Sequence, residues 1–334
     1  MKRNIHYRVL GLLFIAICVF LFITSCGENG ESADKVASNT SIPTSEVIIL
    51  QTTTPAPTPM PTPTPTAEPT PTPDGICGGR YPDKFSDDGG EMTDVSYKSK
   101  NISFEVRSVS DTETYSNLVA YFVVDIYVQD VTSIKTAAAR DDFTKNYTGH
   151  VEDIAVDHNA ILAISGDYYC FHKQGIVIRN GELYRKTPHE GEDICVLYRD
   201  GTMETYLSGG YSLDAIMERD PWQAWSFGPA LLDQDGNVKT KFNSSLGGGN
   251  PRCAIGYYEP GHYCFIVVDG RREGYSEGLK LSDLSQLAYD LGCTAAYNLD
   301  GGGSARLFWN GAIYNNPTSS SRVVSDIIYI QAEG

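Results

Sequence analysis

Asn298-Leu299-Asp300-Gly301-Gly302-Gly303-Ser304-Ala305-Arg306 is the stretch of this 334-residue chain whose reading matters most. Asn298 and Asp300 flank Leu299 at strand spacing, so both side chains point to the same side. Three glycines then let the backbone turn freely and approach a ligand closely. Consecutive N–H groups in such a turn make a concavity suited to an anion, and Ser304 adds a hydroxyl. No Gly-Lys-Ser/Thr follows, so this is not a Walker loop. Taken alone, the stretch reads equally well as a glycine-rich bend with Asp300 as a turn residue.

Three other segments repeat the pattern of polar residues at the end of an apolar strand. They are Ser165-Gly166-Asp167-Tyr168-Tyr169, Asn250-Pro251-Arg252 behind Gly247-Gly248-Gly249, and Val268-Asp269-Gly270-Arg271-Arg272. Arginine suits bidentate recognition of phosphate or carboxylate. A single such arginine is more simply a surface ion-pair partner, and it is the recurrence at four strand ends that points to one shared site.

Working outward, β-branched and aromatic residues predict strands over Ile102 to Val109, Leu118 to Val128, Ile161 to Ile164, Trp225 to Leu232, Ala254 to Tyr258, Tyr263 to Val268 and Val323 to Ile330. Hairpins are expected at Asn180-Gly181, Asp200-Gly201, Glu259-Pro260-Gly261 and Asn310-Gly311. Helices are expected over Val151 to Asn159, Leu213 to Arg219 and Leu281 to Leu291. The last is one-faced through Leu284, Leu287, Ala288 and Leu291, capped by Ser282 or Asp283 and ended by Gly292. Strands outnumber helices, so the class is α+β: a strand-rich mixed sheet with a few packed helices, forming one domain over residues 76–334.

The ends of the chain speak of location. Lys2, Arg3 and Arg8 precede an apolar run from Val9 to Ile23, and Ile23-Thr24-Ser25-Cys26 follows. Fifteen residues are short for a membrane span of ~20 but suit the core of an export signal. An aliphatic residue, two small ones and a cysteine resemble the bacterial lipobox. Residues 1–26 are therefore expected to be a lipoprotein signal, with Cys26 lipidated and the mature protein anchored to the outer face of a bacterial cell membrane. Residues 27–75, nearly alternating Pro and Thr towards their end, read as a disordered stalk whose final ~20 residues at ~3.1 Å each would span roughly 60 Å.

A formal charge of −16 argues against nucleic acid as a partner, and an anionic substrate would need a local basic cluster. Eight cysteines are present, two of them Cys18 and Cys26; Cys77, Cys170, Cys195, Cys253, Cys264 and Cys293 could form up to three disulfides. They show no CxxC pair, and His158, His172, His189 and His262 form no zinc-binding array. No cofactor is expected, although hard oxygen ligands at Asp269 and Asp300 would suit a divalent cation such as calcium.

The strings GDYY, SFGPALLDQDG, NPRCAIGY, VVDGRR, GLKLSDLSQLAYDLGC, YNLDGGGSARLF and NNPTSSSR resemble, in order and spacing, the phosphodiester glycosidase family, over about Val151 to Ile330. That family includes enzymes that remove N-acetylglucosamine from a phosphodiester. The resemblance implies a hydrolase of sugar-1-phosphodiesters in extracellular glycans. Its catalytic candidates are Asp167, Asp269 and Asp300, as base, nucleophile or sugar-hydroxyl ligand. Gly166, Arg252, Arg271, Asn298, Gly301, Gly302, Gly303, Ser304 and Arg322 are its substrate- and phosphate-binding candidates. Ser165 stands where the family more often has Asn, and Cys253 where it has Thr. The competing expectation is a non-catalytic carbohydrate-binding or envelope-associated module that kept the pocket. The two differ on whether Asp269 and Asp300 converge with Arg252 on one cleft.

Overall fold

The computed structural model describes residues 79–333, apart from 88, 116, 243–247 and 319–320. The expected signal, the lipidated Cys26, the stalk and Cys77 lie outside the described residues. In chain order the elements begin with β1 (Glu91–Met92), β2 (Ser96–Lys98), β3 (Ile102–Asp111), β4 (Val119–Val128), β5 (Lys135–Ala138), α1 (Val151–Asp157) and β6 (Ala160–Ser165). Next come β7 (Gly175–Arg179), β8 (Glu182–Thr187), β9 (Ile194–Tyr198), β10 (Met203–Tyr206), α2 (Leu213–Glu218) and β11 (Pro221–Ser226). The chain continues through β12 (Arg252–Glu259), β13 (His262–Val268), α3 (Leu281–Asp290), β14 (Ala295–Asn298), β15 (Leu307–Trp309), β16 (Ala312–Ile313) and β17 (Asp326–Gln331).

The strands form three sheets, ordered β1-β2-β3-β4-β13-β12-β14, β10-β9-β11-β7-β8 and β16-β15-β6-β17-β5. Among the described residues every strand pairing within them is antiparallel. The expected single mixed sheet is thus corrected to three antiparallel sheets, and the balance lies closer to mostly β than to an even α+β mixture.

The three sheets meet in one core. Val124, Ile126, Ile255 and Phe265 from the first sheet pack with Leu197 and Trp225 from the second and Leu162, Ile164 and Ile328 from the third. Each sheet then carries one helix on its outer face. Leu284, Leu287 and Ala288 of α3 cover Ala254, Ile266 and Val268. Ile154 and Ala155 of α1 cover Ala163, Phe308 and Ile327. Ile216 of α2 covers Ile178, Val196 and Ala224. Burial on both faces is why β7, β9, β11 and β13 read as nearly continuous apolar runs, whereas the first half of β3 alternates.

Two local expectations need correction. The strand expected over Trp225 to Leu232 lies earlier, at Pro221–Ser226, because Phe227 breaks it with a φ of 92°. Helix α3 starts behind Lys280 without a side-chain cap, the Ser282 hydroxyl pointing instead to its neighbour Asp283. The five described cysteines are buried thiols rather than disulfides. Cys264 and Cys293 bring their sulfurs within 3.7 Å of one another, over the space that Gly256 leaves by lacking a Cβ.

Candidate active site

The edges of all three sheets converge on one corner. The start of β12 and the ends of β13 and β14 come from the first sheet, the start of β7 and the end of β11 from the second, and the end of β6 and the start of β17 from the third. Main-chain bonds stitch them together: Asp300 N donates to Gly166 O (2.9 Å), Leu299 N to Cys253 O (2.7 Å) and Asn298 N to Pro229 O (3.1 Å). Ser165, at the position where the resemblance led one to expect Asn, donates its hydroxyl to the Asp300 carbonyl at 2.8 Å. Gly228 packs so closely on the Asn298 carbonyl that any Cβ there would overlap it.

A cleft of about 240 Å³ opens at this corner. Of the residues singled out from the sequence, Asp167, Arg252, Arg271, Asn298, Asp300, Gly301, Gly302 and Arg322 line it. Asp269, Gly166, Gly303 and Ser304 do not. Tyr168, Phe227, Gly228 and Asn250 complete much of the wall. All but the Phe227-Gly228 pair neighbour the polar strand-end motifs; that pair, following an apolar run, carried no polar signal of its own.

Asp300 sits on the cleft floor, 8% exposed. One oxygen accepts from Arg322 Nη2, and the other, Oδ2, is buried without a hydrogen-bond partner. Asn298 is alike: its amide nitrogen donates to Leu299 O at 2.9 Å, while Oδ1 is buried and unpartnered. Unmet buried acceptors cost ~1–3 kcal/mol each, so two cleft-lining residues carry unused hydrogen-bonding capacity. Burial pushes the Asp300 carboxyl up to about 7, against the pull of Arg322 and a Ser304 hydrogen bond.

Three guanidinium groups share the cleft with Asp300. Arg322 Nε also donates to the buried Ser304 hydroxyl at 2.8 Å, so Ser304 acts by orienting Arg322. Arg271 is exposed and holds Asn250 Oδ1 through Nε and Nη2, at 3.1 and 2.7 Å. Arg252 is buried and donates to the carbonyls of Leu279 (2.9 Å) and Gly248 (2.8 Å). Burial and the nearby Arg271 charge push Arg252 down to about 10, which means the spot would gain from an added anion. The acidic chain thus concentrates positive charge here.

Three N–H groups of the glycine turn, where an anion concavity was expected, are engaged within the protein. The N–H groups of Gly302, Ser304 and Ala305 donate to the carbonyls of Pro251, Gly301 and Gly302. The glycines supply closeness: a Cβ on Gly301 would meet Pro251 O at 2.8 Å, and Gly302 has a φ of 63°.

Asp167 lies at the edge of the cleft but is committed elsewhere. Its Oδ2 accepts from Arg179 Nη2 at 2.9 Å and Ser226 N at 3.0 Å, and its Oδ1 from Tyr168 N at 2.7 Å. Arg179 in turn reaches Asp326 through Nε at 2.7 Å, and Asp326 accepts from Asp167 N. Gly166 is where the Asp326 carboxyl passes, leaving no room for a Cβ. Burial pushes Asp167 up to about 6, with Arg179 opposing it. This buried acid–base–acid cluster joins β6, β7 and β17 behind the cleft. Sequence reading missed Arg179 and Asp326, although each is a lone charge in an apolar strand, a pattern that signals a paired buried ion.

Asp269 is fully buried, with both oxygens occupied. Asn315 Nδ2 donates to Oδ1 at 2.7 Å, and Tyr275 O–H and Asn316 N donate to Oδ2 at 2.8 and 2.9 Å. It ties the turn after β13 to the loop after β16. The pairing of Asp269 with Asp300 around a divalent cation does not fit this arrangement, since Asp269 is fully buried, already holds three donors and does not line the cleft with Asp300. Among the described residues no group of three or more His, Cys, Asp or Glu side chains could hold a metal ion.

The family model described as phosphodiester glycosidase matches residues 158–331, slightly more than half of the chain. The chain belongs to the phosphodiester glycosidase family. Among curated proteins it is 31% identical over 163 residues to the SPbeta prophage-derived uncharacterized protein YomE of Bacillus subtilis (strain 168), covering 47% of this chain and 25% of that one. It is 26% identical over 187 residues to the N-acetylglucosamine-1-phosphodiester alpha-N-acetylglucosaminidase of Mus musculus, covering 50% of this chain and 35% of that one. The matched region thus spans only a quarter to about a third of these relatives. Among solved structures, the zebrafish enzyme of that name, a catalytic domain auto-inhibited by its pro-peptide, shares the fold with a TM-score of 0.57 at 21% identity. That match covers 74% of this chain and 89% of the other. A hypothetical protein from Synechocystis has a TM-score of 0.54 at 14% identity, over 70% of this chain and 62% of the other. At these identities the structural matches speak for the shared fold.

Proposed function

We propose that this member of the phosphodiester glycosidase family hydrolyses the bond between an anomeric carbon and a phosphodiester oxygen. The observation that carries the reading is the unpartnered Oδ2 of Asp300, in a cleft that also presents Arg252, Arg271 and Arg322. The guanidinium groups hold the phosphodiester and stabilise the negative charge that grows on it as the C–O bond breaks. Asn298 Oδ1 accepts a hydroxyl of the departing sugar. A carboxyl near neutrality is suited to moving a proton: Asp300 takes one from the attacking water and the phosphate leaves with the bonding electron pair. Asp167 and Asp269 hold the cleft in shape.

The mouse relative's name points to N-acetylglucosamine-1-phosphodiesters, and we infer a substrate of that type within a phosphate-bearing extracellular glycan. Lipid anchoring through Cys26 rests on Ile23 to Cys26 and the Pro/Thr run alone. Labelling by radioactive palmitate that persists in Cys26→Ser would rule that anchoring out.

The test is hydrolysis by the whole chain of a panel of sugar-1-phosphodiesters, followed as release of free reducing sugar, beside Arg252→Ala. Release by the wild type and its loss in the variant is expected. No release from any member by folded protein would leave a carbohydrate-binding module in its place.

A further inference from the structure

Cys264 and Cys293 meet on the face of the first sheet that α3 covers. Cys264 lies in β13, and Cys293 follows the end of α3, its N–H bonded to Ala288 O at 3.1 Å. Strand β12 runs between β13 and β14 in the sheet, and its Gly256 stands opposite both Cys264 and Ala296. A Cβ on Gly256 would lie 2.6 Å from the Cys264 sulfur and 2.7 Å from that of Cys293. The missing side chain is what lets the two sulfurs come within 3.7 Å across β12. Leu287, Ala288 and Ala296 share their apolar cluster.

Other cysteines are placed differently. Cys170 and Cys253 turn their sulfurs to main-chain carbonyls, of Tyr147 at 3.2 Å and Ser165 at 3.4 Å. Neither Cys264 nor Cys293 lines the cleft, and the hydrolysis proposed above makes no use of them. A single buried thiol packs as a small apolar group. Two in contact add a chemistry, because a sulfur–sulfur bond is ~2.0 Å long and only about 1.7 Å remains to be closed.

The two thiols are unequal. The hydrogen bond from Cys264 lowers Cys293 below the ordinary thiol range, while that bond and burial push Cys264 well above it. Cys293 is also the more exposed, at 4% against 0%, so its sulfur attacks first. Its thiolate displaces one thiol from a glutathione-type disulfide and forms a mixed disulfide. Cys264 then gives up its proton, attacks the Cys293 sulfur and releases the second thiol. The oxidant's disulfide gains the electron pair that the two cysteines lose.

We propose that Cys264 and Cys293 form a disulfide as the chain folds, fastening the C-terminal end of α3 to β13 across Gly256. An oxidising compartment is where an export signal over residues 1–26 would deliver the chain. The bond closes a loop that contains the whole of α3 and pins the entry to β14. Closing such a loop restricts the unfolded chain, so the effect is on stability. The inference is independent of the hydrolase reading.

The test refolds the whole chain from denaturant with oxidised and reduced glutathione, then blocks free thiols with N-ethylmaleimide. Unreduced proteolytic peptides are mapped by mass spectrometry. One joined species holding Cys264 and Cys293 is expected, lighter than the separate thiol peptides together by a pair of hydrogens. The oxidised chain should melt about 5–10 °C above the chain refolded in dithiothreitol. Valine is apolar and close to cysteine in size, so Cys264→Val/Cys293→Val keeps the packing. That variant should melt near the reduced wild type whether or not dithiothreitol is present. Maleimide on both cysteines of the folded, glutathione-treated chain, or either one joined to Cys77, overturns the pairing. A melting difference that persists in full in the valine variant belongs to other cysteines and overturns the fastening. Should the valine variant fail to fold, the peptide map of the wild type decides by itself.

Discussion

Asp269 and Asp300 look interchangeable in the sequence. Each follows the end of an apolar strand and each precedes a glycine and a basic or glycine-rich turn. In the fold they are opposites. Asp269 has three donors on its two oxygens and does not line the cleft, while Asp300 lines it and keeps one buried oxygen unpartnered. A fully satisfied buried carboxylate gains its stability from the donors around it and has nothing left to offer a substrate. The difference teaches that two carboxyls in like sequence settings differ in whether the protein completes their hydrogen bonding, and the proposed hydrolysis assigns the chemistry to the incomplete one.

The largest expected effect breaks the comparison outright. Asp300→Asn should lower kcat by ~10²–10⁴-fold with the melting temperature hardly lowered, as read by steady-state rates beside calorimetry. Asp269→Ala should do the reverse. It strands the donors of Tyr275, Asn315 and Asn316 and should cost about 2–4 kcal/mol of stability in denaturant unfolding. A stable Asp269→Ala that has lost all turnover would return Asp269 to the chemistry.

Arg322→Ala sharpens the comparison with a smaller effect, because this side chain is 43% exposed. KM for the phosphodiester should rise about tenfold, through loss of a charge-assisted contact to phosphate. Arg322 pulls the Asp300 carboxyl downward, so its removal should also move the inflection of the kcat pH profile upward from near 7. An inflection that stays in place would mean that another group titrates.

The smallest effect is on stability. Asp300 is raised in the fold, so between about pH 4 and 7 the native state holds the proton more tightly than the unfolded chain. Its contribution should therefore reduce stability as pH rises through that window and level off above 7. Asp300→Asn should remove that part of the slope in pH-dependent melting.

Much of the fold was legible in local patterns. The Asn180-Gly181, Asp200-Gly201 and Asn310-Gly311 turns each join a pair of strands in the structure, and the one-faced pattern of Leu284, Leu287 and Ala288 became a helix packed on a sheet. The break at Phe227 was not legible, because a left-handed φ at a bulky residue comes from tertiary placement rather than from local preference. Most of the cleft residues were legible as polar interruptions at strand ends. Arg179 and Asp326 were passed over, because each looks like a stray charge until the other two members of the cluster arrive from distant strands.

What the sequence by itself determined is most of the longer strands, several of the turns between them, and which strand ends carry charge, since these depend on side-chain period and turn chemistry within a few residues. Which strands share a sheet, and which of three aspartates keeps an oxygen without a hydrogen-bond partner, only the tertiary structure decided. The donors that occupy Asp167 and Asp269 come from residues up to 59 positions away, and long-range packing alone brings them within hydrogen-bonding distance.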